Sequence, residues 1–289
     1  MNEPHAGAAV ITGATGGIGR WIALGLAASG YRLFIVGRDP ARLGRARDWI
    51  AGRVPESRDR LITVQADLSL LAETAAAAAA IRAQAPSVGL LVNNAGTLQS
   101  RRVLTAEGHE RTLAVNHLSP LVLTHALLPA LLAQGGGARV VSVGSSTSDG
   151  AGIDPADLEL AAGWRMTRAY ARSKLALLMT QMTLAERLDP AQVAVNVVHP
   201  GMVATGLVRE PGMVGLAWRL MAPFILSERE GADTPLHAAL SPECAGLSGA
   251  YLKRRRPVPP NRRAVDPSLR AQVWTASRAL AAPYLQPQD

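Results

Sequence analysis

Tyr170 and Lys174 stand four residues apart in AYARSKLALL (169–178), with Ser173 between them and apolar residues after. On a helix, positions i and i+4 share a face, so a phenol and an ammonium would point the same way. A tyrosine is a poor acid or base near neutral pH because its ordinary pKa is about 10. A neighbouring ammonium favours the phenolate and lowers that value. The pair could be a tuned general acid/base. It could equally be an ordinary pair on an amphipathic helix. One Tyr-x-x-x-Lys does not decide between them, and the answer rests on the elements that would position it.

A second chemically suggestive stretch is TGATGGIGR (12–20). Gly13, Gly17 and Gly19 follow an apolar β-type run and open a helical one. Such a turn lets backbone approach a pyrophosphate while the helix start offers its N–H groups. The spacing is T-G-x-x-x-G-x-G, not the general G-x-G-x-x-G. The next β-type run ends in Gly37-Arg38-Asp39-Pro40. Asp39 before Pro40 reads as a helix N-cap followed by proline at the first helical position. Arg38 is then available for a ribose 2′-phosphate, where an acid would hold a 2′-hydroxyl. This favours NADP(H) over NAD(H).

The elements around these motifs alternate. Strands are expected at 8–12, 32–37, 61–66, 89–93, 139–144, 193–199 and 249–252. Helices are expected near 17–29, 40–53, 68–84, 107–133, 168–188 and 229–240. Apolar strands alternating with helices predict a parallel sheet covered on both faces, within one domain. Ligands of such sheets bind at the carboxyl ends of the strands. Both motifs fall just after strands.

Composition narrows the function classes. Of the 289 residues, 48% are hydrophobic and 4% aromatic. The N-terminus lacks a secretory signal pattern. The longest apolar stretch, 118–133, is interrupted by Ser, Thr, His and two prolines and is short of a membrane span. A cytoplasmic protein is expected. The single Cys244 excludes an internal disulfide and a cysteine metal site. His109, His117, His125 and His237 are scattered and read as packing or surface groups, and no metal is expected. No G-x-S-x-G elbow supports a hydrolase. The net charge of +8 is concentrated between Tyr251 and Arg270, where seven basic residues face one acid. That segment, KRRRPVPPNRR, lacks interleaved aromatics, so no specific nucleic-acid partner is expected. It reads as a solvated loop, a polyanion contact, or the wall of an anionic-ligand site.

Taken in order, the motifs resemble the short-chain dehydrogenase/reductase family across residues 6–252, and most closely its retinol dehydrogenase and carbonyl reductase branch. The resemblance implies a Rossmann-type, doubly wound parallel sheet of seven strands. It implies that the cofactor turn comprises Gly13, Thr15, Gly17, Ile18 and Gly19, with Arg38 beyond it. Asp67-Leu68 matches the adenine-contacting position, and Asn93-Asn94-Ala95-Gly96 matches the NNAG motif. Pro200-Gly201 opens the segment closing over nicotinamide, which includes Val203 and Thr205. Asn116, Ser145, Tyr170 and Lys174 match the active-site set. Lys174 would also bond the nicotinamide ribose, and Asn116 would hold a water continuing a proton path. Gly144 stands where the family usually has a first serine, so Ser146 competes with Ser145 for the catalytic place. TGATGGIG also satisfies the pattern of the extended, epimerase-like branch, against which NNAG and the chain length argue.

The implied activity is hydride transfer between nicotinamide and a small-molecule carbonyl/alcohol pair. A Met- and Leu-rich lid at 206–228, including Trp218, points to a lipophilic substrate or simply packs on the core. A non-catalytic NADP(H)-binding regulatory or scaffold protein of the same fold is the alternative reading. The helices near 107–133 and 168–188 resemble those that pair in family homodimers and homotetramers. The 253–289 segment forms a basic C-terminal extension to that arrangement.

Overall fold

The computed structural model describes residues 7–203 and 226–285. Thr205 and most of the expected lid, including Trp218, lie outside the described residues. Eight strands form one sheet in the order β3-β2-β1-β4-β5-β6-β7-β8. They are β1 (Ala8–Thr12), β2 (Arg32–Gly37), β3 (Leu61–Gln65), β4 (Leu90–Asn93), β5 (Ala138–Val143), β6 (Val193–His199), β7 (Tyr251–Lys253) and β8 (Arg256–Pro257). The first seven run parallel. The eighth is a correction to the expected seven: two residues of the basic segment turn back antiparallel to β7. The KRRR stretch is therefore a hairpin rather than a loop.

The strands are apolar throughout because both faces are covered. Along β1 and β2, Val10, Phe34 and Val36 face one core cluster, while Ala9, Ile11, Leu33 and Ile35 face the other. This is the period-two alternation of a pleated strand buried on two sides. Helices α1 (Gly17–Ala28), α2 (Pro40–Ala51), α6 (Glu228–Gly231) and α7 (Asp233–Leu240) belong to the second side. Helices α3 (Leu71–Gln84), α4 (Arg111–Leu132) and α5 (Met166–Arg187) belong to the first, with α8 (Pro267–Ala281) outside α5.

The strand order reverses direction between β1 and β4, which opens a crevice at their carboxyl ends. Asp39 caps α2 as its sequence predicts, accepting from Arg42 N at 3.1 Å with Pro40 in the first turn. Helix α4 is not regular: Ala114–Leu118 forms one π-type turn inside it. Such turns recur at functional sites because they re-aim side chains. Among the described residues, α4 is the one helix long and apolar enough to cross a membrane, and most of it is buried within the protein.

Candidate active site

The glycine turn is shaped by its contact with the NNAG segment. Thr12 Oγ1 accepts from the backbone N–H groups of Asn94 and Ala95, each at 3.0 Å. The Asn94 side-chain amide donates back to the carbonyls of Thr12 at 2.9 Å and Gly13 at 3.2 Å. These bonds strap the ends of β1 and β4 together across the crevice. A Cβ at Gly19 would lie 2.3 Å from Asn94 Nδ2, so glycine is required there by the protein itself. Gly13 and Gly17 hold φ of 72° and 59°, which suits residues without a Cβ. Helix α1 starts with no side-chain cap and no acid in its first turn. Its N–H groups therefore face the crevice available to an anion.

Arg38 and Asp67 end neighbouring strands, and their charged groups lie 3.6 Å apart. The Arg38 side chain is 66% exposed, open to a further anionic partner. Burial would raise Asp67, but hydrogen bonds from Ser69 and the guanidiniums of Arg38 and Arg111 outweigh it and hold its carboxyl below the ordinary range. Thr15 sits against the position of Gly37, and Leu68 is buried beneath the strand ends. Ile18 packs with Val203 around Gly231, and Gly201, with φ 91°, follows Pro200 into the Val203–Leu226 bridge.

Lys174, Asn116, Ser145 and Tyr170 converge at the ends of β4 and β5. Lys174 is buried, and its Nζ donates to the Val143 carbonyl at 2.8 Å. It lies 5.9 Å from the centre of the Tyr170 ring. Asn116 sits in the π-type turn of α4, fully buried. Its Oδ1 accepts from Thr97 N at 2.7 Å, and its Nδ2 donates to Thr97 O and Ser173 Oγ, each at 3.0 Å. Ser173 in turn donates to the Tyr170 carbonyl at 2.8 Å. Gly96 covers this group: a Cβ there would stand 3.5 Å from Asn116 Oδ1 and 3.6 Å from Lys174 Nζ. The missing side chain leaves a cradle above the ammonium.

Ser145 is the serine that hydrogen-bonds Tyr170; Ser146 opens the short turn after it. Gly144 is explained by its neighbour, since a Cβ there would stand 2.8 Å from Val197 Cγ1. The expected lowering of Tyr170 by Lys174 is corrected by the structure. Burial pushes the phenol above its ordinary value, and the Ser145 hydrogen bond only partly opposes this. Burial also draws Lys174 down to about 8. Desolvation outweighs the pull of the ammonium, which is held by backbone rather than by the phenol.

The short chain dehydrogenase family profile matches residues 7–212. The chain belongs to that family. It is an NAD(P)-dependent oxidoreductase of the retinol dehydrogenase-like branch. It is 36% identical over 268 residues to "Retinol dehydrogenase 12" of Homo sapiens, covering 93% of this chain and 84% of that protein. It is 39% identical to "Polyprenol dehydrogenase" of Mus musculus, covering 92% and 81% respectively. Among solved structures it is similar to a short chain dehydrogenase from Burkholderia cenocepacia in complex with NADP. That likeness has a TM-score of 0.68 and 27% identity, over 87% of this chain and 97% of that one.

A nicotinamide dinucleotide fits this dehydrogenase's own residues: an uncapped helix start, an exposed arginine at a strand end, and the cradle over Lys174. Sequence reading passed over Thr12 and the backbone of Thr97, which fix the two motifs in place. The first threonine of TGATGGIG was the available signal for Thr12. Thr97 had none, because its role lies in main-chain groups. Among the described residues no cluster of His, Cys, Asp or Glu could hold a metal ion.

Proposed function

We propose that this dehydrogenase uses NADP(H) to interconvert a lipophilic carbonyl compound and its alcohol. The carrying observation is the joining of Ser145 and Tyr170 by a hydrogen bond, beside a buried ammonium at Lys174. The nicotinamide supplies or accepts the hydride. Tyr170 gives its proton to the substrate oxygen in reduction and takes it back in oxidation. Ser145 donates to the same oxygen where negative charge develops. Lys174, beneath the Gly96 cradle, is placed to bond the ribose and to stabilise a phenolate left at Tyr170. Asn116 positions this floor by pinning Thr97 and Ser173, and borders any water that relays the proton onward.

Preference for the 2′-phosphorylated dinucleotide is supported by the exposed Arg38 at the β2 end and the glycine at Gly37, which leaves no acid for a 2′-hydroxyl. A lipophilic substrate is supported by two relatives whose names state retinol and polyprenol as what they act on. The test is a fluorescence titration with NADPH and, separately, NADH, followed by a screen of lipophilic aldehydes and ketones. NADPH should bind at least about tenfold more tightly, a difference of about 1.4 kcal/mol. Tyr170→Phe should keep that binding and lose about 10²–10⁴ in kcat. Equal binding of both dinucleotides overturns the Arg38 assignment, and an active Tyr170→Phe overturns the acid/base assignment.

A further inference from the structure

Behind the helix that carries Tyr170 lies a cleft of about 440 Å³, lined by the 150–154 loop, Arg168, Ala171, Arg172 and Arg263. Arg168 and Arg172 stand two residues on either side of Tyr170. At 3.6 residues per turn that places them about 160–200° round α5 from the catalytic tyrosine. The cleft is thus on the opposite side of the helix from the active site. Its third guanidinium, Arg263, comes from the basic C-terminal segment.

The three arginines lack carboxylate partners. Arg172 Nη1 donates to the Asp157 carbonyl. Arg168 Nη1 reaches Gly163 O at 3.4 Å and Arg263 Nη1 reaches Ala151 O at 3.5 Å. Among the described residues none of them forms an ion pair. Arg172 is only 3% exposed, yet its Nε has no hydrogen-bond partner. A buried guanidinium with an orphaned donor is costly unless something pairs with it. Burial, and then the nearby charge of Arg168, depress its pKa, with Asp157 and Asp154 opposing them. One carboxylate, Asp154, also lines the cleft, and its Oδ1 is engaged by Ala156 N at 3.0 Å. Three cations against one anion leave the lining with a net positive charge of two.

Helix α5 adds to this imbalance. Its N-cap, Arg165, makes no side-chain cap, and its first turn contains no acid. Arg168 sits in that turn, where the helix dipole favours negative charge. The cleft volume is in the range of small-molecule sites, about 300–1,000 Å³. Arginine's planar donors match phosphate oxygens in pairs.

We propose that this cleft binds the phosphate group of a small metabolite, at a site separate from the cofactor crevice. A bound dianion balances the surplus charge, satisfies Arg172 Nε and completes the start of α5. It also ties the C-terminal segment, through Arg263, to the helix that holds Tyr170. One cluster of the chain's excess basicity thereby has a specific role.

The test is a titration of inorganic phosphate into the NADP⁺-saturated enzyme at constant ionic strength, balanced with chloride and read as melting temperature. The wild type should show a saturable rise of about 2–5 °C at ten times the half-saturating concentration. Arg168→Gln and Arg263→Gln are both exposed and should fold normally. Each should raise the half-saturating concentration at least about tenfold, the loss of one charge-assisted bond. No saturable rise in the wild type, or an unchanged response in both variants, overturns the proposal. So does a response abolished by Arg38→Gln alone, which would place the phosphate in the cofactor crevice. Should NADP⁺ fail to saturate, the cofactor reading fails by itself. The same titration on Arg38→Gln without dinucleotide then still reports on the arginine cleft.

Discussion

Tyr170 titrates against its surroundings, and the direction has a kinetic consequence. Because burial raises the phenol, it stays protonated at neutral pH, the form that donates to a carbonyl oxygen. In the reductive direction kcat/KM should stay level below about pH 7 and decline as Lys174 loses its proton near 8. In the oxidative direction it should climb with pH, since only the phenolate accepts a proton. Profiles in both directions check this; a reductive limb that already falls below about pH 7 would mean that the ammonium of Lys174 lowers the phenol after all. Lys174 has its own signature in stability. Its folded pKa of about 8 lies below the unfolded value near 10.5, so the unfolded chain binds more protons between them. Its contribution to stability is full above the unfolded value and is lost as pH falls through about 8. Lys174→Met should flatten that slope in denaturant melts taken between these pH values. The spacing of Tyr170 and Lys174 was legible in the sequence, which left Ser145 and Ser146 both open as the serine beside them. The titration was not legible, because it depends on how deeply the fold buries each group.

The elements follow the sequence closely where a strand is apolar and bounded by turn residues. β1, β2 and β6 begin and end where their patterns do. Agreement fails where a single backbone choice decides. The π-type turn at Ala114–Leu118 leaves no mark in composition, yet it aims Asn116 at Thr97 and Ser173. The helix near 229–240 divides at Ala232, between α6 and α7. The hairpin between β7 and β8 is the least legible element. Its two central residues, Arg254 and Arg255, have φ of 47° and 63°, where Asn and Gly are the usual occupants. Arg255 is held by Asp233, with Nε donating to Oδ2 at 2.7 Å. Arg254 has no such bond among the described residues, so its strain is not offset. Arg254→Asn should therefore stabilise the protein by about 0.5–1 kcal/mol, read as a rise in melting temperature. A loss of stability would mean that Arg254 makes a contact worth more than its backbone strain.

At the scale of the whole molecule, the C-terminal extension decides which surfaces remain available. The sequence resemblance assigns subunit pairing to the helices now seen as α4 and α5. In the structure, residues 172–185 of α5 are buried on every side, with only Met182 partly exposed. A helix covered all round has no face left for a partner. α8 supplies part of that cover. Arg270 pairs with Glu186 at 2.6 Å, and Ser277 Oγ lies 2.7 Å from His117 Nε2 in the π-type turn. Trp274 packs against the His125 ring at 5.6 Å and beneath Arg187. The sequence reads this region only as a basic C-terminal extension, and the docking of α8 is not legible there because its contacts join residues about 84 to 160 positions apart. Association through α4 and α5 would require α8 to leave, exposing Trp274 and the apolar side of α5. Light scattering on the full chain should therefore give the mass of one copy, 30.3 kDa. Trp274→Asp should loosen α8 and produce larger species if the covered face is the family's pairing surface. A wild type that elutes as a stable tetramer, with α8 protected from proteolysis, would show that assembly uses another face of the sheet.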